Sequence, residues 1–352
     1  MKKMDLFRRP CRMNRRAFLK LSGVMGLSMA STALIPTPAQ SLKFDRERYN
    51  ITQTRIAMGT FVSITLIHES RDQAEEAMAG AYDEIDRITA LLSRFDQNAA
   101  VARLNMQGYL RNVPPEMNQI ISRSLDYYRL SSGAFDITVK PVVDLFQEKL
   151  GGKKKVVPTE QELRGRLDLV GTHLIQFDKG TIGFEKPGMG ITLDGIAKGY
   201  IVDSAAGILA QSGISNFLIN AGGDIRAKGA RPDRKPWTIA IQDPEKRMAY
   251  PDIIHLSDGA IATSGNYEVF FDQEKMFHHI VDPKTGASPN QSASVSVLAK
   301  STTQADALST SVFVMPPARG VGFINGISKS ECLIVPKNGA LLRSQGWMSA
   351  AI

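Results

Sequence analysis

Cysteine is nearly absent from this 352-residue chain, which holds only Cys11 and Cys332. Cys11 falls in a leader expected to be removed, so no internal disulfide forms and no cysteine pair is available to a structural zinc. Cys332 sits in the strand-like run Cys332-Leu333-Ile334-Val335 and reads as a small buried hydrophobe rather than a nucleophile. Histidine is also scarce, and only His278 and His279 adjoin. On a strand the two face opposite sides, so at most one serves a given site. No repeat and no low-complexity tract occurs, which excludes solenoid and fibrous architectures. Long apolar runs are missing as well. The longest, Leu21 to Ile35, is broken by Gly23, Gly26 and several Ser and Thr, and falls short of the roughly 20 residues that cross a bilayer.

Positive charge is plentiful but confined. The first 39 residues carry Lys2, Lys3, Arg8, Arg9, Arg12, Arg15, Arg16 and Lys20 against Asp5 alone, so +7 of the formal +8 lies there. The rest of the chain is almost neutral and lacks the basic footprint that nucleic-acid binding requires. Asn14-Arg15-Arg16-Ala17-Phe18-Leu19-Lys20, the weakly polar stretch after it and the small-residue exit Thr37-Pro38-Ala39 form a twin-arginine export signal. Residues 1–39 are therefore expected to leave after passage through the twin-arginine machinery, with cleavage after Ala39 and a periplasmic product. A retained anchor, giving inner-membrane association, is the alternative. Residues 40–352 are expected to form one domain.

Periodicity gives a mixed chain. Residues 54–67 alternate as a strand, and Ala74, Met78, Ala81, Ile85, Ile88 and Leu92 recur at helical spacing. Met117, Ile120, Ser124, Leu125 and Tyr128 mark a second helix. Asp178-Lys179-Gly180 joins two short strands, Leu174 to Phe177 and Thr181 to Phe184. A helix runs from Ile196 to about Ala210, then a strand from Asn216 to Asn220. Further strands are expected at Trp237 to Gln242, Ile253 to Leu256, His278 to Val281, Ser294 to Ala299 and Glu331 to Val335. A helix from Thr303 to Phe313 separates the last two. The elements interleave without a regular βαβ rhythm, which predicts an α+β layered fold.

Three junctions carry chemistry. Residues 190–195 have the outer glycines of a Walker A loop, but Ile196 and Ala197 stand where Lys and Ser or Thr are needed. Gly188-Met189-Gly190 lacks the third glycine of a dinucleotide fingerprint. What remains is either a loop opening into a helix N-terminus, an anion site to which Lys198 adds charge, or an ordinary glycine turn. In the second junction Asp306 and Thr310 stand four apart on a helix and share one face. A carboxylate and a hydroxyl there suit Mg2+, while a simple helix-start role for Asp306 is the alternative. The third is His278-His279-Ile280-Val281-Asp282-Pro283, where an imidazole is a candidate general base and a structural histidine is the alternative.

Taken together, Met58-Gly59-Thr60, Leu92-Ser93-Arg94-Phe95, Ser132 to Thr138, Leu193 to Tyr200, Asn220 to Ile225, Ala262-Thr263-Ser264-Gly265, His279 to Gly286 and Ala305-Asp306-Ala307 occur in an order that resembles the ApbE family of FAD:protein FMN transferases. The resemblance spans roughly residues 50–340. It implies a single α+β domain that uses FAD as substrate with Mg2+, and that transfers the FMN half to a Thr or Ser hydroxyl of a protein acceptor, releasing AMP. It further implies that Met58, Phe95, Ala134, Phe135, Asp136, Thr192, Lys198 and Ile280 line the FAD site. Asp306, Thr310 and the Gly195 carbonyl are implied Mg2+ ligands, His279 the implied base and Asp282 a second candidate base.

Many members have Asp-Leu-Gly-Gly where this chain has Thr192-Leu193-Asp194-Gly195, so the acid has moved two places and Asp194 is a candidate substitute. This variant resembles the branch accompanying nitrous oxide reductase maturation. The acceptor it implies is a periplasmic or membrane flavoprotein with an FMN-binding domain, such as a membrane redox subunit. A periplasmic FAD-binding carrier and an FAD pyrophosphatase remain alternatives. Arg94, Asp224 and Asp243 receive no role at this level.

Overall fold

The computed structural model describes residues 13–14, 40–45, 48–151, 155–178, 180–245, 249–265, 278 and 280–350. The twin-arginine stretch beyond Asn14, the small-residue exit and His279 lie outside these residues. Among the described residues no helix is long and apolar enough to cross a membrane.

Three strands begin the domain, β1 (Gln40–Asp45), β2 (Arg48–Ala57) and β3 (Thr60–His68). The single strand expected over 54–67 is in fact the hairpin of β2 and β3. Met58 (φ 52°) and Gly59 (φ 72°) are both left-handed, as a two-residue turn matching strand twist requires. The turn pairs Ala57 with Thr60, so the core face passes from odd residues on β2, such as Ile51, to even residues on β3; Ile56, which is exposed, falls in phase with Val62, Ile64 and Leu66 and makes the alternation look continuous. Val62, Ile64 and Leu66 then point to the core face and are fully buried.

Helix α1 (Arg71–Leu92) starts where the Ser70 hydroxyl accepts from Gln73 N–H at 3.3 Å. Its predicted apolar stripe is buried, including Ile85 and Ile88, which pack in one core with Val62, Ile64 and Leu66. Truncating either isoleucine to Ala removes contacts worth about 2–5 kcal/mol. After α2 (Ala100–Gln107) and β4 (Tyr109–Arg111) comes α3 (Pro115–Leu130). Next come two helices, α4 (Lys140–Leu150) and α5 (Glu160–Leu167), and then the expected hairpin of β5 (Ile175–Asp178) and β6 (Thr181–Phe184).

The C-terminal half contains α6 (Ala197–Gln211), β7 (Phe217–Ala221), β8 (Asp224–Lys228), β9 (Trp237–Ala240), β10 (Ile253–Leu256), β11 (Asp258–Gly265) and β12 (Ser292–Ala299). It ends with α7 (Thr302–Val314), α8 (Pro317–Asn325), β13 (Glu331–Pro336) and β14 (Leu342–Arg343). Nine strands form one sheet in the order β14-β13-β12-β11-β8-β7-β3-β2-β1, and every described pairing is antiparallel. The α+β reading holds, and parallel βαβ architecture is absent from this sheet. Of the strand expected at 278–281, the described residues show an isolated bridge at His278, and Ile280 and Val281 lie outside any strand before the turn that follows Asp282.

Helices α1, α6 and α7 cover the sheet. Where α6 crosses α7, a Cβ on Gly199 would lie 2.4 Å from the Thr302 carbonyl oxygen, so only glycine permits this approach. The two helices cap each other. Asp203 on α6 accepts from Thr302 N–H and Thr303 N–H, each at 2.8 Å, and Asp306 on α7 accepts from Gly199 N–H at 2.9 Å. Each carboxylate thus meets the positive end of the other helix, and the N-terminus of α6 is fixed beside Asp306.

Candidate active site

Loops at one edge of the helix–sheet sandwich enclose an open cavity of about 960 Å³, in the size range of ligand clefts. Of the residues carried forward from the sequence, Met58, Phe95, Ala134, Phe135, Asp136, Thr192, Gly195, Lys198, Ile280, Asp306 and Thr310 all line it. They arrive from separate places: the β2–β3 turn, the segment after α1, the loop before α4, the entry to α6, the segment before Asp282 and the face of α7. Asp282 does not line the cavity, although Val281 and Pro283 beside it do. Its carboxylate accepts from Lys284 N–H at 2.8 Å, and its backbone closes a turn with Gly286 and Ala287.

His278 belongs to the core. It is 1% exposed, its Nε2–H donates to the Pro289 carbonyl at 2.9 Å, and its ring meets Phe313 edge-on with centroids 5.6 Å apart. It is therefore the structural member of the histidine pair.

Asp136 is a junction of the cavity wall. Its Oδ1 accepts from Thr138 N–H at 2.8 Å, from the Thr138 hydroxyl at 2.5 Å and from the Thr172 hydroxyl at 2.8 Å. Its Oδ2 accepts from Thr172 N–H at 3.1 Å. The Thr138 hydroxyl in turn accepts from Gly171 N–H at 2.7 Å. This network holds Ala134 and Phe135 against the cavity, and the Phe135 ring is braced edge-on by Tyr127 at 6.2 Å. Burial pushes the Tyr127 phenol up to about 12, so it stays neutral at physiological pH.

The polar end of the cavity lies where α6 begins. Asp306 is 5% exposed. The Thr310 hydroxyl lies 3.2 Å from the Ser264 hydroxyl, which is also 2.8 Å from that of Ser309. A Cβ added to Gly195 would sit 3.0 Å from Thr310 Oγ1, so the bare glycine backbone rests against that hydroxyl. A carboxylate, a hydroxyl and a backbone carbonyl make an all-oxygen set suited to a hard dication such as Mg2+. Among the described residues no group of three or more His, Cys, Asp and Glu is placed to hold a metal.

Two ion pairs stand in the wall. Lys198 Nζ lies 3.4 Å from Asp224 Oδ2, the Asp224 side chain being 2% exposed. Arg94 Nη2 lies 3.2 Å from Asp194 Oδ2, and its guanidinium rests 4.3 Å from the centroid of the Phe95 ring. Asp194 thus serves Arg94, while Thr192, 7% exposed, donates its backbone N–H to Ile137 O at 2.8 Å. Arg94 and Ser264 carried no assigned role in the sequence. Both fall inside recognised motifs, but their partners are 100 and 46 residues away and no local pattern points to them.

Cys332 is fully buried on β13, where burial pushes its thiol up to about 11. Residues 40–352, which hold Cys332 alone, are expected to resist a thiol-reactive dye at pH 8 when native and to label at one site once denatured. Rapid native labelling, read by absorbance, would contradict this placement.

A family model described as the ApbE family matches residues 58–334. An FAD:protein FMN transferase of Vibrio cholerae is 32% identical over 270 residues, covering 75% of this chain and 81% of that protein. One of Haemophilus influenzae is 32% identical over 265 residues, covering 72% and 75%. Among solved structures, the ApbE protein of Thermotoga maritima superposes with a TM-score of 0.77 at 31% identity, covering 84% of this chain and 97% of that one. The flavin transferase ApbE of Vibrio cholerae gives 0.74 at 28% identity, covering 88% and 98%.

Proposed function

The chain belongs to the ApbE family and is an FAD:protein FMN transferase, and we propose that it moves FMN from FAD to a Thr or Ser hydroxyl of an exported flavoprotein. The observation that supports this reading most is the convergence of the separate motifs on one cavity with an all-oxygen polar end. In the proposed reaction the acceptor hydroxyl oxygen bonds to the FMN-side phosphorus and the pyrophosphate bond to the AMP half breaks. AMP leaves with the bond pair, and the hydroxyl proton passes to a base, for which His279 is the candidate and Asp282 the second. Asp306, Thr310 and the Gly195 carbonyl would hold Mg2+, which when bound neutralises pyrophosphate charge. The chain's own residues orient the donor. Met58, Phe95, Phe135 and Ile280 offer apolar surface to flat rings, and Lys198 at the start of α6 offers positive charge to phosphate.

The leader supports export by the twin-arginine route and a periplasmic place of work, with a membrane redox subunit as one form of acceptor. An acceptor domain incubated with the mature protein, FAD and Mg2+ is expected to gain one FMN that survives denaturation. Changing the acceptor Thr to Val is expected to abolish labelling, as read by in-gel fluorescence and mass. Labelling of the Val variant at the same position would overturn transfer to a hydroxyl.

A further inference from the structure

We propose that Arg94 is a donor-binding residue that takes a phosphate oxygen of FAD, with Asp194 as the internal counter-ion that holds it until the donor arrives. The inference rests on reading the cavity as the FAD site. Arg94 and Lys198 are the two cationic residues among the described lining of the cavity. Lys198 pairs with Asp224, which is withdrawn into the interior. Arg94 pairs with Asp194, whose side chain is 40% exposed and so is far more easily exchanged.

The guanidinium is also incompletely used. Its Nη2 lies 3.2 Å from Asp194 Oδ2, while Nε is buried and has no hydrogen-bond partner among the described residues. Burying such a donor without an acceptor is unfavourable, so the guanidinium gains from a shift away from Asp194 that brings it to a phosphate oxygen. The planar fork suits two phosphate oxygens at once, which a lysine ammonium does not reproduce. Arg94 is held at the cavity by its contact with the Phe95 ring, itself 75% exposed and available to a flat ring of the ligand.

This arrangement gives Asp194 a role opposite in sign to that of a ligand or base. It competes with the donor for Arg94, so removing its charge strengthens donor binding. The pair also accounts for the displaced acid of the Thr192-Leu193-Asp194-Gly195 segment, since an acid at 194 is the one that meets Arg94.

Calorimetric titration of the mature protein with FAD, ADP and riboflavin separates phosphate recognition from general damage. Arg94→Gln is expected to weaken FAD and ADP by about 10- to 100-fold, the range of one charge-assisted hydrogen bond, with riboflavin changed by no more than about twofold. Arg94→Lys is expected to recover part of the loss. Asp194→Asn is expected to tighten FAD and ADP by roughly two- to tenfold and to steepen their salt dependence. Unchanged FAD and ADP affinity in Arg94→Gln, an equal loss for riboflavin, or weaker FAD binding in Asp194→Asn would overturn the assignment. Wild-type protein that binds no FAD would instead overturn the donor-site reading, and the assignment with it.

Discussion

Asp306→Asn is expected to lower the rate of FMN transfer on the order of 10²- to 10³-fold while leaving the melting temperature nearly unchanged. Asparagine keeps an oxygen that accepts from Gly199 N–H, now made at 2.9 Å, so the cap on α6 survives. What it loses is the negative charge at the polar end of the cavity, beside Thr310 and Gly195. Asp306→Ala loses both, leaving a buried N–H without its acceptor at a cost of about 1–3 kcal/mol. Single-turnover labelling of an acceptor, with thermal melts of the same samples, distinguishes the two roles. Wild-type transfer by the Asn variant would reduce Asp306 to a helix cap.

Asp136→Ala is expected to cost about 3–4 kcal/mol of stability. Four donors converge on this carboxylate, two of them backbone N–H groups of Thr138 and Thr172 that cannot turn elsewhere. The hydroxyls can rotate, which is why the loss falls well below the sum of four separate bonds. Asp136→Asn is expected to lose roughly half as much, because its amide group opposes one of the donors it replaces. FAD affinity should fall in parallel, since Ala134 and Phe135 depend on the same network. Urea unfolding curves measure the first effect and FAD titration the second. A stable Ala variant with weakened FAD binding would instead give the carboxylate a direct role with the ligand.

These two residues illustrate what the sequence conveys. The motif residues were legible as a set, because their types fit one chemistry and their order matched one family pattern, and the fold brings eleven of the thirteen to a single cavity. Asp282 stays outside that lining, and His279 lies beyond the described residues. Long helices such as α1 were legible from their buried stripe. Helix α5 was not, because it buries none of its residues and so has no apolar period. The β2–β3 reversal was hidden because exposed Ile56 falls in phase with the buried residues of β3, and β11 by its small residues, Ala260 and Ala262 among them.

Partnerships across the chain were the least legible. Asp203 meets Thr302 and Thr303, and Asp306 meets Gly199, over about one hundred residues each way. Arg94 and Asp194 are as far apart. A carboxylate's type announces that it needs a partner, but only the sheet order and the α6–α7 crossing decide which one it finds.

The central claim, that this cavity transfers FMN to a protein hydroxyl, is tested most directly by following FAD in the presence of the mature protein, Mg2+ and an acceptor domain. The account predicts one AMP released for each FMN that becomes covalently fixed to the acceptor, with both lost in Asp306→Asn. Release of AMP with free FMN and an unlabelled acceptor, or FAD held intact, would contradict it.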